Sequence, residues 1–133
     1  MYLLDTNVIS ELRKTKPHGA VLAWFESVDE AAVFLSAVTL GEIQRGIERT
    51  REQNPTKARE ISEWADRLCR THRILPMDAE TFRRSAQLMH HKTDALLEDA
   101  MIAATAQQYQ LTVVTRNVRD FATFQVKVFN PFE

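Results

Sequence analysis

The chain has 133 residues, 44% of them hydrophobic and 26% charged, with a net charge of −1. That length suits one domain, expected to span residues 1–133, and the composition is that of an ordinary soluble globular protein. It excludes a globally basic surface built for nucleic acid, and no apolar run approaches the roughly 20 residues of a membrane helix.

Tyr2-Leu3-Leu4 is a short apolar run ending at a polar Asp5-Thr6-Asn7 turn, and it reads as a buried first strand. Val8 to Arg13 then looks helical, with Thr6 or Asn7 as N-cap. Pro17 can start a second helix, whose Val21, Leu22, Trp24 and Phe25 supply core. Ala32-Val33-Phe34-Leu35 is a second apolar strand, and Ser36 is a good N-cap for a helix from about 37 to 51. Asn54-Pro55 is an N-cap followed by proline at the first helical position. The helix it opens carries Ile61, Trp64, Ala65, Leu68 and Cys69 at a spacing of three to four. Arg73-Ile74-Leu75-Pro76 is a brief strand, and Asp78 caps a helix running to about His91. Residues 95–109 form an alanine-rich helix, followed by a β-branched strand from Leu111 to Thr115. A helical turn near 117–121 and a last strand, Val126-Lys127-Val128-Phe129, complete the order.

Strands alternate with helices, and the strand runs are continuously apolar. Both features predict an α/β fold with a parallel sheet and helices on both faces. In such sheets ligands bind at the carboxyl ends of the strands, where Asp5 and Thr115-Arg116-Asn117 fall.

The opening Met1-Tyr2-Leu3-Leu4-Asp5 reaches an acid with no basic segment or cleavage site, so no secretory signal is expected. The one cysteine, Cys69, has no internal partner, which fits a reducing, cytoplasmic setting, and it reads as a half-buried, inert thiol. Charge is unevenly spread: residues 44–92 hold eleven of the 17 Lys and Arg but seven of the 18 Asp and Glu, giving +4 against −5 for the flanks. A basic middle suits an anionic polymer approaching an acidic site. Arginine-rich helices keeping their outer faces wet explain it more simply.

Three acids stand out. Asp5 follows a buried strand, where it serves either as a helix N-cap or as a ligand. Asp99 shares a helix face with Ile102, Ala103 and Ala106, a core-facing stripe on which a carboxylate needs a partner. Helix N–H groups are the plain partner, and a hard cation shared with Asp5 the functional one. Glu42 points away from the Leu40, Ile43 and Ile47 stripe, and by periodicity alone a Glu42–Arg45 ion pair is favoured. Four histidines without metal-ligand spacing, no glycine-rich phosphate loop and no nucleophile elbow leave all-oxygen ligation, which suits Mg²⁺ or Mn²⁺.

Across the whole chain, Leu4-Asp5-Thr6-Asn7-Val8-Ile9, Leu35-Ser36-Ala37-Val38-Thr39-Leu40-Gly41-Glu42, Glu98-Asp99-Ala100-Met101-Ile102-Ala103-Ala104-Thr105-Ala106, Val114-Thr115-Arg116-Asn117 and Asn130-Pro131-Phe132 follow one another in order. This series resembles the PIN-domain nucleases, specifically the VapC-type toxins of bacterial type II toxin–antitoxin pairs. The resemblance implies a three-layer fold with a five-stranded parallel sheet, metal-binding acids at Asp5 and Asp99, and a third catalytic acid at Glu42. It also implies a homodimer, an inhibiting antitoxin that binds operator DNA in complex with the toxin, and an endoribonuclease whose substrate is structured RNA such as transfer RNA. Water is then the nucleophile, with Mg²⁺ or Mn²⁺ as cofactor, leaving a 5′-phosphate and a 3′-hydroxyl.

Many relatives carry a fourth acid after the Thr-Arg pair. Here Asn117 stands there as the fourth candidate catalytic residue, and Asp120 is available to compensate. Thr6, Asn7 and Thr115 are candidate substrate contacts beside the acids, and Arg45, Arg49 or Arg116 candidate phosphate clamps. Two rivals remain. An aspartyl phosphotransferase using Asp5 would pair it with an acid two residues on, where Asn7 stands. A non-catalytic RNA- or protein-binding module leaves the Asp99 acid unexplained.

Overall fold

A computed structural model describes residues 1–133. Its elements in chain order are β1 (Tyr2–Leu4), α1 (Thr6–Arg13), α2 (Gly19–Ser27), β2 (Val33–Ser36), α3 (Ala37–Arg51), α4 (Pro55–Thr71), β3 (Arg73–Leu75), α5 (Ala79–Leu88), α6 (Leu97–Tyr109), β4 (Thr112–Val114), α7 (Val118–Ala122) and β5 (Val128–Phe129). Two 3₁₀ turns, Glu30–Ala32 and Asp94–Leu96, lead into β2 and α6. No helix is long and apolar enough to cross a membrane.

The five strands form one sheet in the order β3-β2-β1-β4-β5, and every neighbouring pair is parallel. Successive strand residues point to opposite faces, and both faces are covered. Leu4, Val33, Leu35 and Val114 pack under α1 to α4 with Val8, Ile9, Val21, Ile43, Ile47 and Leu68. Leu3, Phe34 and Val113 pack under α6 and α7 with Ala100, Ile102, Ala103 and Phe121. Both faces being dry, the strands read as unbroken apolar runs. The α/β fold with a five-stranded parallel sheet between two helical layers is the one expected.

Several boundaries differ from the sequence reading, each for a local reason. The first helix starts at Thr6 because Asp5, not Thr6 or Asn7, is its N-cap: the Asp5 carboxylate accepts from the Thr6 N–H at 2.8 Å. The second begins at Gly19 rather than Pro17, with the His18 ring accepting from the Ala20 N–H. Helix α5 stops at Leu88, short of His91, and His91 takes a left-handed φ of 63° that no helix continues through. Strand β4 lacks Leu111 and Thr115, and β5 lacks Val126 and Lys127. Cys69 is exposed, not half-buried, because the buried stripe of α4 runs through Ala58, Ala65 and Leu68. Ser36 and Asn54 cap α3 and α4 as expected.

The chain runs outward from β1 through β2 to β3, then returns to the other side of β1 for β4. Strand order therefore reverses at β1, and a crevice opens at the carboxyl ends of β1 and β4. On its far wall the short helix α7 is held by Phe121, which is 0% exposed. Phe121→Ala should cost about 3–5 kcal/mol, the range for emptying a buried aromatic site. Urea unfolding checks this, and a loss under ~1 kcal/mol would show that α7 is not anchored by that ring.

Candidate active site

Asp5 leaves β1 with its N–H donated to the Val114 carbonyl at 2.9 Å, which sets it beside Thr115 at the end of β4. Its side chain is 4% exposed, and its carboxylate accepts from three donors. These are the Thr6 N–H at 2.8 Å, the Asn7 amide at 3.1 Å and the Thr115 hydroxyl at 2.7 Å. Burial raises the Asp5 pKa above its usual 3.8, and those three donors oppose the rise. Asp5 is thus the helix cap, and the capping bond engages Oδ1 alone.

Glu42 sits in α3, one turn on from the buried Thr39. The Thr6 hydroxyl donates to Glu42 Oε1 at 2.8 Å and lies 3.1 Å from the Thr39 hydroxyl. The Glu42–Arg45 pair favoured by periodicity is not made. Arg45 instead pairs with Glu98 of α6, at 2.7 and 2.9 Å from its two oxygens, because α3 and α6 converge at the crevice rim. Burial pushes the Glu42 pKa from 4.5 up to about 7, the Thr6 hydroxyl resists, and the nearby Glu98 and Asp5 charges raise it further.

Asp99 is the third residue of α6 and is half-buried. Its pKa rises from 3.8 to about 6, through burial first and then through the charges of Asp5, Asp120 and Glu98. Asp5 and Glu98 are therefore near enough to repel both Glu42 and Asp99, and Asp120 repels Asp99. Beyond Arg45 at the rim, no ion pair relieves them.

The remaining candidates divide. Asn7 ties the crevice together, its amide lying 3.3 Å from the Thr115 hydroxyl and its oxygen accepting from the Arg116 N–H at 3.3 Å. Asn117 is exposed; its N–H donates to Thr115 at 2.9 Å, and its side chain makes no cap bond. Asp120, not Asn117, places charge against Asp99. The Arg116 guanidinium stacks on the Phe132 ring at 3.8 Å, so clamping a phosphate requires it to leave that ring. Arg49 is exposed on α3 and joins no ion pair.

Sequence reasoning missed Thr39 and Glu98. Thr39 was detectable, since it precedes Ile43 and Ile47 by four and eight on the buried face. Glu98 carries no such signal, because its partners lie on α3, 53 residues away.

Asp5, Glu42 and Asp99 offer oxygen donors only, the set that hard divalent ions take. No three acidic, histidine or cysteine side chains meet at one point in the structure. Holding a cation with more than two of them therefore requires side-chain rotation. The surplus of negative charge in a half-buried crevice fits such an ion.

Known proteins are similar along the whole chain. The PIN domain family matches residues 2–126. Toxin FitB of Neisseria gonorrhoeae is 37% identical over 99% of this chain and 99% of its own. VapC ribonuclease Y4jK of Sinorhizobium fredii is 35% identical over 100% and 99%. Among solved structures, FitAcB from Neisseria gonorrhoeae superposes with a TM-score of 0.87 at 38% identity, covering 100% of this chain and 99% of that one. FitAB bound to the IR36 DNA fragment gives 0.86 at 37%, covering 100% and 96%.

A carboxyl whose folded pKa is raised binds its proton more tightly when folded, so its stabilising contribution exists below the unfolded value and fades as pH rises. For Glu42 that window runs from 4.5 to about 7. Glu42→Gln should therefore melt higher than the parent above about pH 7, by on the order of 1 kcal/mol after solvent screening. Below the usual carboxylate range the two should melt alike. Equal melting throughout would show that Glu42 is not under strain.

Proposed function

The chain belongs to the PIN domain family, and from that membership we propose that it is a metal-dependent endoribonuclease, the toxin of a toxin–antitoxin pair. The observation that carries this is the gathering of Asp5, Glu42 and Asp99 at the carboxyl end of the central strand, all with raised pKa values. Similarity to a VapC ribonuclease and to toxin FitB supports it. Structured cellular RNA, transfer RNA foremost, is the proposed substrate. A cognate antitoxin is the proposed partner, the pair binding operator DNA, as the DNA-bound FitAB complex suggests by likeness. We also propose a homodimer.

Asp5 and Asp99 would hold Mg²⁺ or Mn²⁺, with Glu42 beside them. Such an ion supplies a Lewis acid that offsets negative charge growing on the phosphodiester. The chain's own residues do the rest. The Thr6 hydroxyl fixes Glu42 Oε1, leaving Oε2 to take a proton from the attacking water. Thr115 and Asn7 fix the rotamer of Asp5. Arg45, released from Glu98, is positioned to meet a phosphate oxygen, as is Arg116 once it leaves Phe132. Asp120 supplies the fourth charge in place of Asn117.

Incubating the purified protein with RNA and Mn²⁺ tests the reading. Asp5→Asn and Asp99→Asn should each slow cleavage about a hundredfold or more, the loss of several kcal/mol of charge stabilisation. Asp99→Asn should melt no lower than the parent, and Asp5→Asn should stay folded but melt lower, because an amide cannot accept from all three donors around Asp5. A folded Asp5→Asn variant cutting at the parental rate would sink the assignment.

Calorimetric titration with Mn²⁺ separates Asp120 from Asn117. Asp120→Asn should weaken binding several-fold through lost attraction at short range, and Asn117→Ala should barely change it. The reverse order would make Asn117 the ligand.

A further inference from the structure

A second recess opens from the crevice between α1, α3 and α4. It has a volume of ≈ 210 Å³ and shares Thr6 and Glu42 with the acidic site. Ile43 and Ile61 make its walls apolar, and Trp64 of α4 lines it beside Arg13 of α1. The Arg13 guanidinium lies over the Trp64 ring at 5.6 Å and joins no ion pair, so its charge is available to a ligand. Such a volume falls below the roughly 300–1,000 Å³ of pockets that take drug-sized molecules. It suits one planar ring.

We propose that this recess is a nucleobase subsite, taking one unstacked base of the RNA strand whose phosphate lies at Glu42. The inference rests on the ribonuclease reading above and deepens it. An indole and a guanidinium are the two surfaces on which proteins stack splayed bases, and stacking tolerates any base. The Arg13 charge complements the flanking phosphate. Because Glu42 and Thr6 form one edge of the recess, its occupant lies within a nucleotide or so of the reacting bond. A base held here therefore sets which single-stranded position is cut.

Gly46 lines the recess, and a Cβ built on it meets nothing within 4 Å. Gly46→Leu therefore adds bulk at the recess wall with no clash at its Cβ, and a helix gains from losing a glycine. Its melting temperature should equal or exceed the parent's. Arg13→Ala, at an exposed position, is the second variant if Gly46→Leu misfolds.

The test uses fluorescein-labelled single-stranded oligoribonucleotides with one abasic site walked along the strand, bound to the cleavage-silent Asp5→Asn protein and followed by anisotropy. One abasic position should weaken binding about tenfold. With Gly46→Leu added, the intact strand should bind about tenfold weaker and the positional dependence should vanish, since the two losses share one contact. Trp64→Phe should keep most of the affinity. A flat abasic walk, no binding of any oligonucleotide, or parental binding by both Gly46→Leu and Arg13→Ala would overturn the subsite. So would Gly46→Leu losing the cognate antitoxin but not RNA, which would make the recess a protein-docking groove. If the unmodified protein leaves RNA uncut with Mn²⁺, the ribonuclease reading itself fails. Cleavage together with a flat walk removes the subsite alone.

Discussion

A carboxylate at the end of a buried central strand is costly unless donors surround it, and Asp5 is such a group. Its three donors come from Thr6, Asn7 and Thr115. Two are sequence neighbours and need only α1 to begin. The third is 110 residues away and exists only if β4 lies beside β1 in register, Leu4 opposite Val114. Satisfying Asp5 and closing the sheet are therefore one event. The strand-order reversal at β1 places this carboxylate close enough to Glu42 and Asp99 for its charge to raise both, which a purely structural cap would not do.

Around that fixed point the charge is deliberately unbalanced. Glu42, Asp99, Glu98 and Asp120 converge from α3, α6 and α7, and Arg45 is their one ion-pair partner, at the rim. A chain selected for stability alone would place a cation or an amide among them. Here the repulsion is tolerated because the flanking cores are dense: Ile47, Ile102 and Phe121 anchor the three helices at 0% exposure. Packing on both faces of the sheet thus holds open a site that electrostatics would disperse.

Much of this is legible in the sequence, and the gaps have physical causes. Local signals carry the elements well: Ser36, Asn54 and Asp78 accept from backbone N–H groups as caps should. Helix ends are less legible, since His91 turns left-handed without a glycine to announce it. Asp99 is readable as a misfit on an apolar stripe. Glu42 is not, because its partner Thr6 lies 36 residues back and its periodicity points to Arg45. Interactions within one helix turn favour the wrong pairing, and only the approach of α3 to α6 gives Arg45 to Glu98. The family resemblance, and not periodicity, is what nominates Glu42.

The basic middle of the chain makes the same point about charge. Residues 44–92 carry a surplus of cations, yet they do not make one patch. Helices α3 and α4 cover one face of the sheet and α5 lies with α6 on the other, so the surplus is split between opposite sides. Arg51 and Arg84 are spent on their own helices, pairing with Glu48 and Glu80. Of the candidate clamps within that segment, Arg45 reaches the crevice rim. On the proposed function, attraction of an anionic strand would depend on a few cations near the acids, Arg13 and Arg45 on one side and Arg116 on the other. A net charge near zero is compatible with such a site, because screening over roughly 10 Å makes the local cations matter more than the sum.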